Sequence, residues 1–271
     1  LGEGGVEQFN VSVDRSSWLT EMESTSHLWD NAYAEEQHLE IVNFKSIGAK
    51  GDLTVGERAN ALAFTPDGRV WDGLEDVRVI NGKDFAGKLN LGIVLTDDVD
   101  GRYLAEATAP VQFSFDGSKQ NDIFNVNVNS DIAGDPDFRL DINMGAGDDR
   151  LILATTGGNG NLNNISVDGG LGNNTFVTAT SVGTSANLEF KSFTNFQNYE
   201  IEGGSTDHDF TTLNGVTSVV VATNGGANND NNLIDLAANN GIVISGKNQT
   251  TGNNSNANQS FGKIDVQGAE G

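Results

Sequence analysis

The sequence predicts a mainly β protein whose largest part is an irregular parallel β-solenoid, and three observations support this fold class. Short segments alternate apolar and polar residues, as half-buried strands do. The 34 glycines lie mostly beside Asp and Asn at the ends of these segments, where turns need residues that tolerate positive φ. Such turns recur 22 to 34 residues apart, which is typical of solenoid coils, at Gly117, Gly145, Gly170, Gly204 and Gly226. A β-sandwich is the alternative, because its short strands are also joined by Gly and Asn turns.

The predicted strands are the segments with the clearest alternation. After residue 105 they are residues 111–115, 123–128, 138–142, 151–153, 175–177, 199–201, 219–221 and 242–244. Earlier in the chain, residues 39–42 and 74–79 combine acidic and aliphatic residues in a similar pattern, and residues 89–91 follow the second of them. Helical periodicity is almost absent after residue 105, so this part is expected to consist of strands and turns.

The N-terminal part differs in composition from the rest of the chain. All three tryptophans lie within residues 1–105, which we expect to form a small mixed module that caps a Gly/Asn/Asp-rich domain, residues 106–271. Residues 16–23 and 29–37 are predicted as short helices. The first of these begins with serines that can act as N-caps, and acidic residues follow in its first turns.

Charge and composition exclude several classes of function. The chain has 38 acidic and 15 basic residues, a formal net charge of −23, which repels nucleic acid and anionic lipid. No apolar run reaches the roughly 18–20 residues of a membrane helix, so membrane insertion is not expected. With no cysteine, the fold must be stabilised by packing, backbone hydrogen bonds or bound ions. Because the chain begins at Leu1 without a leader, we expect a processed protein or a fragment.

Two glycine-rich segments carry the candidate chemistry. Residues 144–152 read Met-Gly-Ala-Gly-Asp-Asp-Arg-Leu-Ile, and residues 169–177 read Gly-Gly-Leu-Gly-Asn-Asn-Thr-Phe-Val. Glycines let the backbone turn sharply and aim carbonyl oxygens inward, and Asp adds an anionic oxygen. Because Ca²⁺ takes six to eight oxygen ligands, each segment is a candidate calcium site. Asn174 occupies the acidic position of the second segment, which keeps the oxygen but loses the charge.

Three further segments match the same pattern in part. The first keeps Asp122, the second has His208 at the acidic position with Asp209 beside it, and the third keeps Asp230. The complete set of candidate calcium ligands is Asp122, Gly145, Gly147, Asp148, Asp149, Gly170, Gly172, Asn174, Asp209 and Asp230.

These segments resemble the nonapeptide G-G-x-G-x-D-x-U-x of RTX proteins. Residues 190–221 also resemble repeats of bacterial surface-layer proteins and large secreted adhesins. The resemblance implies an extracellular or cell-surface structural protein that needs Ca²⁺ to fold and to assemble into a homo-oligomer, lattice or fibre. A surface glycan or lipopolysaccharide is a further partner to consider. RTX nonapeptides run in tandem whereas these motifs are isolated, so we expect longer coils with one calcium-type turn each.

Two other functions stay open from the sequence. Acidic solenoids also occur in virion tail or spike subunits and in other appendages. Parallel β-helices with bound Ca²⁺ also serve polysaccharide lyases and epimerases, but such enzymes need clustered basic residues for acidic sugars and proton transfer. The chain has only three histidines, and the basic residues after residue 105 are few and scattered. A structural role is therefore expected, and catalysis is not.

Overall fold

A computed structural model of the chain describes most of its residues and is mainly β. The described residues are 5–26, 36–48, 51–56, 73–156, 162–178, 193–201, 207–210, 213, 215–221, 231–236, 241–244 and 264–268.

Two large parallel sheets contain most of the strands. The first sheet has seven strands in the order β1 (Gln8–Val13), β5 (Ile41–Ser46), β8 (Val79–Asn81), β10 (Val111–Asp116), β12 (Phe138–Asn143), β14 (Ile165–Asp168) and β16 (Phe193–Thr194). The second sheet has ten, in the order β2 (Ser17–Leu19), β6 (Leu53–Val55), β9 (Leu89–Leu95), β11 (Ile123–Asn129), β13 (Arg150–Thr156), β15 (Thr175–Thr178), β17 (Asn198–Ile201), β19 (Ser218–Val221) and β21 (Gly241–Ile244), with β7 (Leu74–Glu75) beside β9.

The remaining elements are small. An antiparallel pair joins β3 (Thr25–Ser26) to β4 (Glu36–Gln37), and a three-stranded parallel sheet contains β18 (Asp207–Asp209), β20 (Asn231–Leu236) and β22 (Ile264–Gly268). The described helices are a π-helical turn, Asp100–Leu104, and α1 (Ser130–Gly134). None of the described helices is long and apolar enough to cross a membrane.

From β7 to β17 the chain alternates strictly between the two large sheets. Each strand pairs in parallel with the previous strand of its own sheet, as β11 does with β13 from Ile123↔Arg150 to Asn129↔Thr156. Each turn between the two sheets therefore lies against the equivalent turn of the preceding coil. This in-register stacking aligns residues 33 positions apart between β9 and β11, and 23 to 27 positions apart in the coils from β10 to β17.

The core lies between apolar faces of the strands. In β9 the side chains alternate strictly, so Leu89, Leu91 and Ile93 are fully buried while Asn90 and Gly92 are partly exposed. All eight strands predicted after residue 105 are present, as β10, β11, β12, β13, β15, β17, β19 and β21. Alternation with a period of two is a sufficient signal where one face of the strand lies toward the core, as in β10 and β12. Strand β13 is buried on both faces, and its predicted segment 151–153 is continuously apolar.

The predicted helices of the N-terminal part are wrong where the structure describes them. Within residues 16–23, β2 pairs in parallel with β6, and Met22 forms a bridge with Leu74. Of residues 29–37, those up to 35 lie outside the described residues and the last two form β4. Serine N-capping is a local preference, and pairing with a strand some 36 residues away replaces it.

The large sheets continue through the predicted boundary at residue 105. Strand β8 pairs with β10, and β9 pairs with β11, so strands from residues 1–105 and from residues 106–271 are neighbours in both sheets. The division into two folding units stays a prediction, and the sheet pairing does not mark it.

Candidate metal centre

Three turns with Gly- and Asx-rich sequences stack on one another where the chain passes from the first sheet to the second. Residues 117–122, 144–149 and 169–174 each connect a strand of the first sheet to a strand of the second. The later two turns form a bridge between Ala146 and Leu171, with the Leu171 N–H donating to the Gly145 carbonyl at 2.9 Å. The predicted glycine motifs are therefore brought together, one directly against the other.

Glycine is required in these turns for space as well as conformation. Gly170 and Gly172 have φ of +74° and +127°, a region that other residues rarely adopt. A Cβ atom at either position would lie 1.9 Å from the carbonyl oxygen of Gly145 or Gly147 respectively. The turns can approach this closely only because no side chain lies between them.

A row of side-chain oxygens runs along the stack, and we call Asp122, Asp149, Asn174 and Gln197 the inner ladder; the first three are buried and Gln197 is partly exposed. The Asp122 N–H donates to Asp149 Oδ1 at 2.7 Å, and the Asp149 N–H donates to Asn174 Oδ1 at 2.9 Å. The Asn174 N–H in turn donates to Gln197 Oε1 at 2.8 Å. At the other end, Asp122 Oδ1 accepts from the Leu89 N–H at 2.7 Å.

The position of the inner ladder in the fold explains its composition. Each of its residues immediately precedes a strand of the second sheet: β11, β13, β15 and β17. The main-chain N–H groups of Asp122, Asp149 and Asn174 point along the stack and donate to a side chain of the next turn, whereas the Gln197 N–H donates to the Asn174 carbonyl. A buried N–H without an acceptor is costly, so an Asp, Asn or Gln oxygen at this position stabilises the start of each strand.

A second row lies one residue earlier, on the more exposed side, and its bonds run in the opposite direction. The Asp148 N–H donates to Asn121 Oδ1 and the Asn173 N–H donates to Asp148 Oδ1, both at 2.9 Å. The predicted ligand Asp148 therefore has a structural contact of its own, between the second and third turns.

The two buried carboxyl groups of the inner ladder differ in their hydrogen bonding. Both Asp122 oxygens are bonded, since the Ser118 hydroxyl and N–H donate to them in addition to Leu89. In Asp149, which is 1% exposed, Oδ1 accepts from Asp122. Its Oδ2 is buried and has no hydrogen-bond partner among the residues that the structure describes.

Burial dominates the electrostatics of this pair. Burial, together with the neighbouring charges of Asp122 and Asp148, raises the pKa of Asp149 to about 7 against the opposing effect of the hydrogen bond from the Asp122 N–H. Burial also raises the pKa of Asp122 to about 6, although three hydrogen bonds from Leu89 and Ser118 oppose the shift. A nearby cation would relieve the cost of the charged form.

The donor set fits Ca²⁺ better than a transition metal. Within the described part of the chain, no group of three or more His, Cys, Asp or Glu side chains is arranged to hold an ion. A metal here would bind Asp149 Oδ2, the buried carboxylate oxygen without a hydrogen-bond partner among the described residues. Ca²⁺ takes oxygen ligands alone, whereas zinc sites mostly use His and Cys side chains.

Two predicted ligands are not among the residues of these turns that the structure describes. Asp209 is in β18, part of the separate three-stranded sheet, and Asp230 lies outside the described residues. Sequence reasoning missed Ser118 and Gln197, which complete the bonding of the inner ladder. The spacing of 27, 25 and 23 residues between ladder members was the available signal, but it becomes readable only once the strands are aligned.

Comparisons with known proteins found no matching family model, no matching curated protein and no matching solved structure. The interpretation of the site therefore depends on its own geometry.

Proposed function

We propose that this chain is an extracellular structural protein, an RTX-like parallel β-solenoid that binds Ca²⁺ in its glycine turns and assembles at a cell surface. The observation that carries the proposal is the buried Asp149 Oδ2, which lacks a hydrogen-bond partner among the described residues and lies in the stacked turns. Its role is structural: the ion holds neighbouring coils together, and the chain needs no catalytic group for it.

The alternation of strands supports the solenoid. One coil consists of a strand in the first sheet, a glycine turn and a strand in the second sheet, for example β12, residues 144–149 and β13. The next coil, with β14 and β15, repeats this unit one strand further along both sheets. Coils of this kind contact only their neighbours, so an ion between two turns stabilises the local stack.

The buried carboxyl pair supports calcium binding. Without a cation, the burial of Asp149 next to Asp122 favours the protonated, uncharged form of both carboxyl groups, as their raised pKa values indicate. A divalent cation reverses this preference, since it favours deprotonated carboxylates and gives Asp149 Oδ2 a ligand bond. Binding free energy then adds to folding free energy.

The net charge supports a role in an environment with abundant divalent cations. At −23 the chain repels its own copies, and bound Ca²⁺ reduces this repulsion where copies approach. Assembly in external calcium is the expected behaviour of such a protein, in a lattice or fibre on the cell surface.

Thermal unfolding with Ca²⁺ and with EGTA tests the proposal. Ligand at about 100 times its Kd stabilises a protein by about 2.7 kcal/mol, which for a chain of this size raises Tm by about 5–10 °C. The Asp149→Asn variant should lose most of this rise, while its Tm in EGTA is unchanged or higher because a buried carboxyl group has been removed.

Asp141→Asn is the matched control for this experiment. Asp141 is exposed on β12, so this variant removes the same charge while leaving the inner ladder intact. It should keep the full calcium-dependent rise in Tm. Equal Tm values of the unmodified protein in Ca²⁺ and EGTA would sink the proposal, and so would an equal loss of the rise in both variants.

A further inference from the structure

We infer that, of the three stacked turns, only residues 144–149 bind Ca²⁺, and that hydrogen-bond donors of the protein take the place of the ion in the other two. This inference deepens the proposed function and rests on its calcium part. The motif in the sequence predicts a site in each turn, whereas the hydrogen bonds in the structure favour one. The residues that supply these bonds decide which coil binds metal.

The three turns are equivalent residue by residue. Each begins directly after a strand of the first sheet, ends directly before a strand of the second, and has the same length. The strand register aligns Asp116 with Asn143, and Asn143 with Asp168, immediately before the turns. The bonds of the inner ladder align the last residues of the turns in the same way. Each position can therefore be compared in all three coils.

In the first turn, the protein itself supplies donors to both oxygens of the buried carboxyl group. The Ser118 N–H donates to Asp122 Oδ2. The Ser118 hydroxyl and the Leu89 N–H donate to Oδ1, at 2.9 Å and 2.7 Å. An ion that bound Asp122 would have to displace these bonds, so this turn is stable without a cation.

In the third turn, an amide replaces the carboxyl group. Asn174 Oδ1 accepts from the Asp149 N–H at 2.9 Å, as the other ladder oxygens do. Asn174 Nδ2 donates to the Asn195 carbonyl of the next coil at 3.0 Å. The second polar atom of this side chain is therefore a donor that faces an acceptor, and it joins two coils without a charge and without an ion.

The second turn has neither arrangement. Asp149 Oδ1 accepts from the Asp122 N–H, but Oδ2 has no donor among the described residues. The residue equivalent to Ser118 is Gly145, whose N–H donates instead to Asn143 Oδ1 at 3.0 Å. Glycine also has no hydroxyl group to replace this bond. A buried carboxyl group thus meets a turn that offers it no hydrogen bond, and a cation is favoured under this condition.

The third turn would also bind metal if its ladder residue were acidic. Gly170 behaves like Gly145, because its N–H donates to Asp168 Oδ1 at 2.8 Å and is not available to the inner ladder. Only the amide of Asn174 removes the need for an ion in this turn. A carboxylate in its place would set an oxygen against the Asn195 carbonyl oxygen, and the two would repel each other unless a cation lay between them.

Asn174→Asp tests the inference by adding a site. In equilibrium dialysis of the full chain against Ca²⁺, this variant should bind about one more ion per chain than the unmodified protein. In EGTA it should unfold at a lower temperature than the unmodified protein, because the bond to the Asn195 carbonyl is lost. Saturating Ca²⁺ should restore most of this difference in Tm.

Asp149→Asn and Asp122→Asn form a matched pair, because each replaces one carboxyl oxygen of the inner ladder with an amide nitrogen. Asp149→Asn should bind about one ion fewer than the unmodified protein. Asp122→Asn should bind the same number, since the protein already bonds both Asp122 oxygens. Asp148→Asn, in the second turn, controls for the loss of one charge and should also bind the same number. Far-UV circular dichroism shows which variants are folded.

The outcomes distinguish failure of this inference from failure of the proposed function. An unmodified protein that binds no Ca²⁺ would overturn both. If the unmodified protein binds Ca²⁺, an unchanged number of ions in Asn174→Asp would overturn the inference alone. An equal loss of ions in folded Asp122→Asn and Asp149→Asn would also overturn it, because the turns would then share their ions. If Asp122→Asn does not fold, the result for Asn174→Asp decides.

Discussion

At the residue scale, the chain buries polar groups in the core, and hydrogen bonds to residues of neighbouring strands and turns satisfy several of them. The inner ladder is one case. Another is the pair formed by Tyr199 and His208, whose hydroxyl oxygen and Nδ1 are 2.9 Å apart. The rings also meet edge to face, with centroids 5.5 Å apart. Burial without a neighbouring charge lowers the pKa of His208 to about 3. The folded protein therefore keeps this imidazole neutral throughout the physiological pH range.

The buried histidine predicts a pH-dependent contribution to stability. Between pH 6.5 and about 3 the unfolded chain binds a proton at His208 that the folded chain does not bind. Stability from this residue is therefore complete above pH 6.5 and declines as pH falls. In the His208→Gln variant, which keeps a polar group beside Tyr199, this decline is absent.

Urea unfolding at several pH values measures this effect. The difference in unfolding free energy between the unmodified protein and His208→Gln should be constant from pH 8 to about 7 and shift in favour of the variant as the pH falls to 4. Using the difference cancels the opposite contribution of Asp122 and Asp149, whose raised pKa values favour the folded state at lower pH. A difference that does not change with pH would contradict the prediction.

At the scale of single elements, the glycine turns set how closely two coils can stack. The nearest contact is between main-chain atoms, as at Gly172 beside the carbonyl oxygen of Gly147. An added methyl group there must push the two turns apart and also take up an unfavourable φ. Since the inner ladder spans the same turns, its hydrogen bonds would lengthen as well.

Gly172→Ala should therefore destabilise the protein by about 2–4 kcal/mol, through backbone strain and steric overlap. Gly101→Ala is the control, since a Cβ atom at this position in the π-helical turn meets nothing within 4 Å. It should change stability by less than about 0.5 kcal/mol. The urea midpoints of the two variants measure this, and equal midpoints would show that the turns are not closely stacked.

At the scale of the whole molecule, aromatic side chains join the two large sheets. Phe176 in β15 lies 5.1 Å from Phe193 in β16 and 5.7 Å from Tyr199 in β17, measured between ring centroids. The three rings come from successive strands and from both sheets. A substitution of Phe176 therefore changes the packing of side chains in the neighbouring coils as well as in its own.

Phe176→Ala should lower the unfolding free energy by about 3–5 kcal/mol, because it leaves a cavity among fully buried rings. Leu171→Ala is the control: this side chain is 75% exposed in the nearby turn and should contribute little. Differential scanning calorimetry distinguishes them. Similar Tm values for both variants would mean that the ring cluster does not couple the sheets.

Several parts of this structure could be predicted from local sequence. Eight strands after residue 105 could be located from short apolar segments, since such strands bury at least one face whatever their partners are. Strands β14, β16, β18, β20 and β22 were not predicted. The stacked glycines and the acidic position of Asp149 follow from the motif, because sharp turns need glycine. The chain's acidic net charge, together with the motif, also directs attention to divalent cations.

Other parts depend on contacts between residues far apart in the chain. Ser17 to Leu19 form a strand instead of a helix because β6 lies beside them, and Gln197 joins the inner ladder because its strand is aligned with that of Asn174. Parallel pairing fixes both arrangements, and it joins segments separated by a whole coil. The sequence by itself determined the positions of the eight predicted strands after residue 105 and of the glycine turns between them, since these depend on neighbouring residues. Only the tertiary structure decided which side chains meet, since that depends on the register between coils.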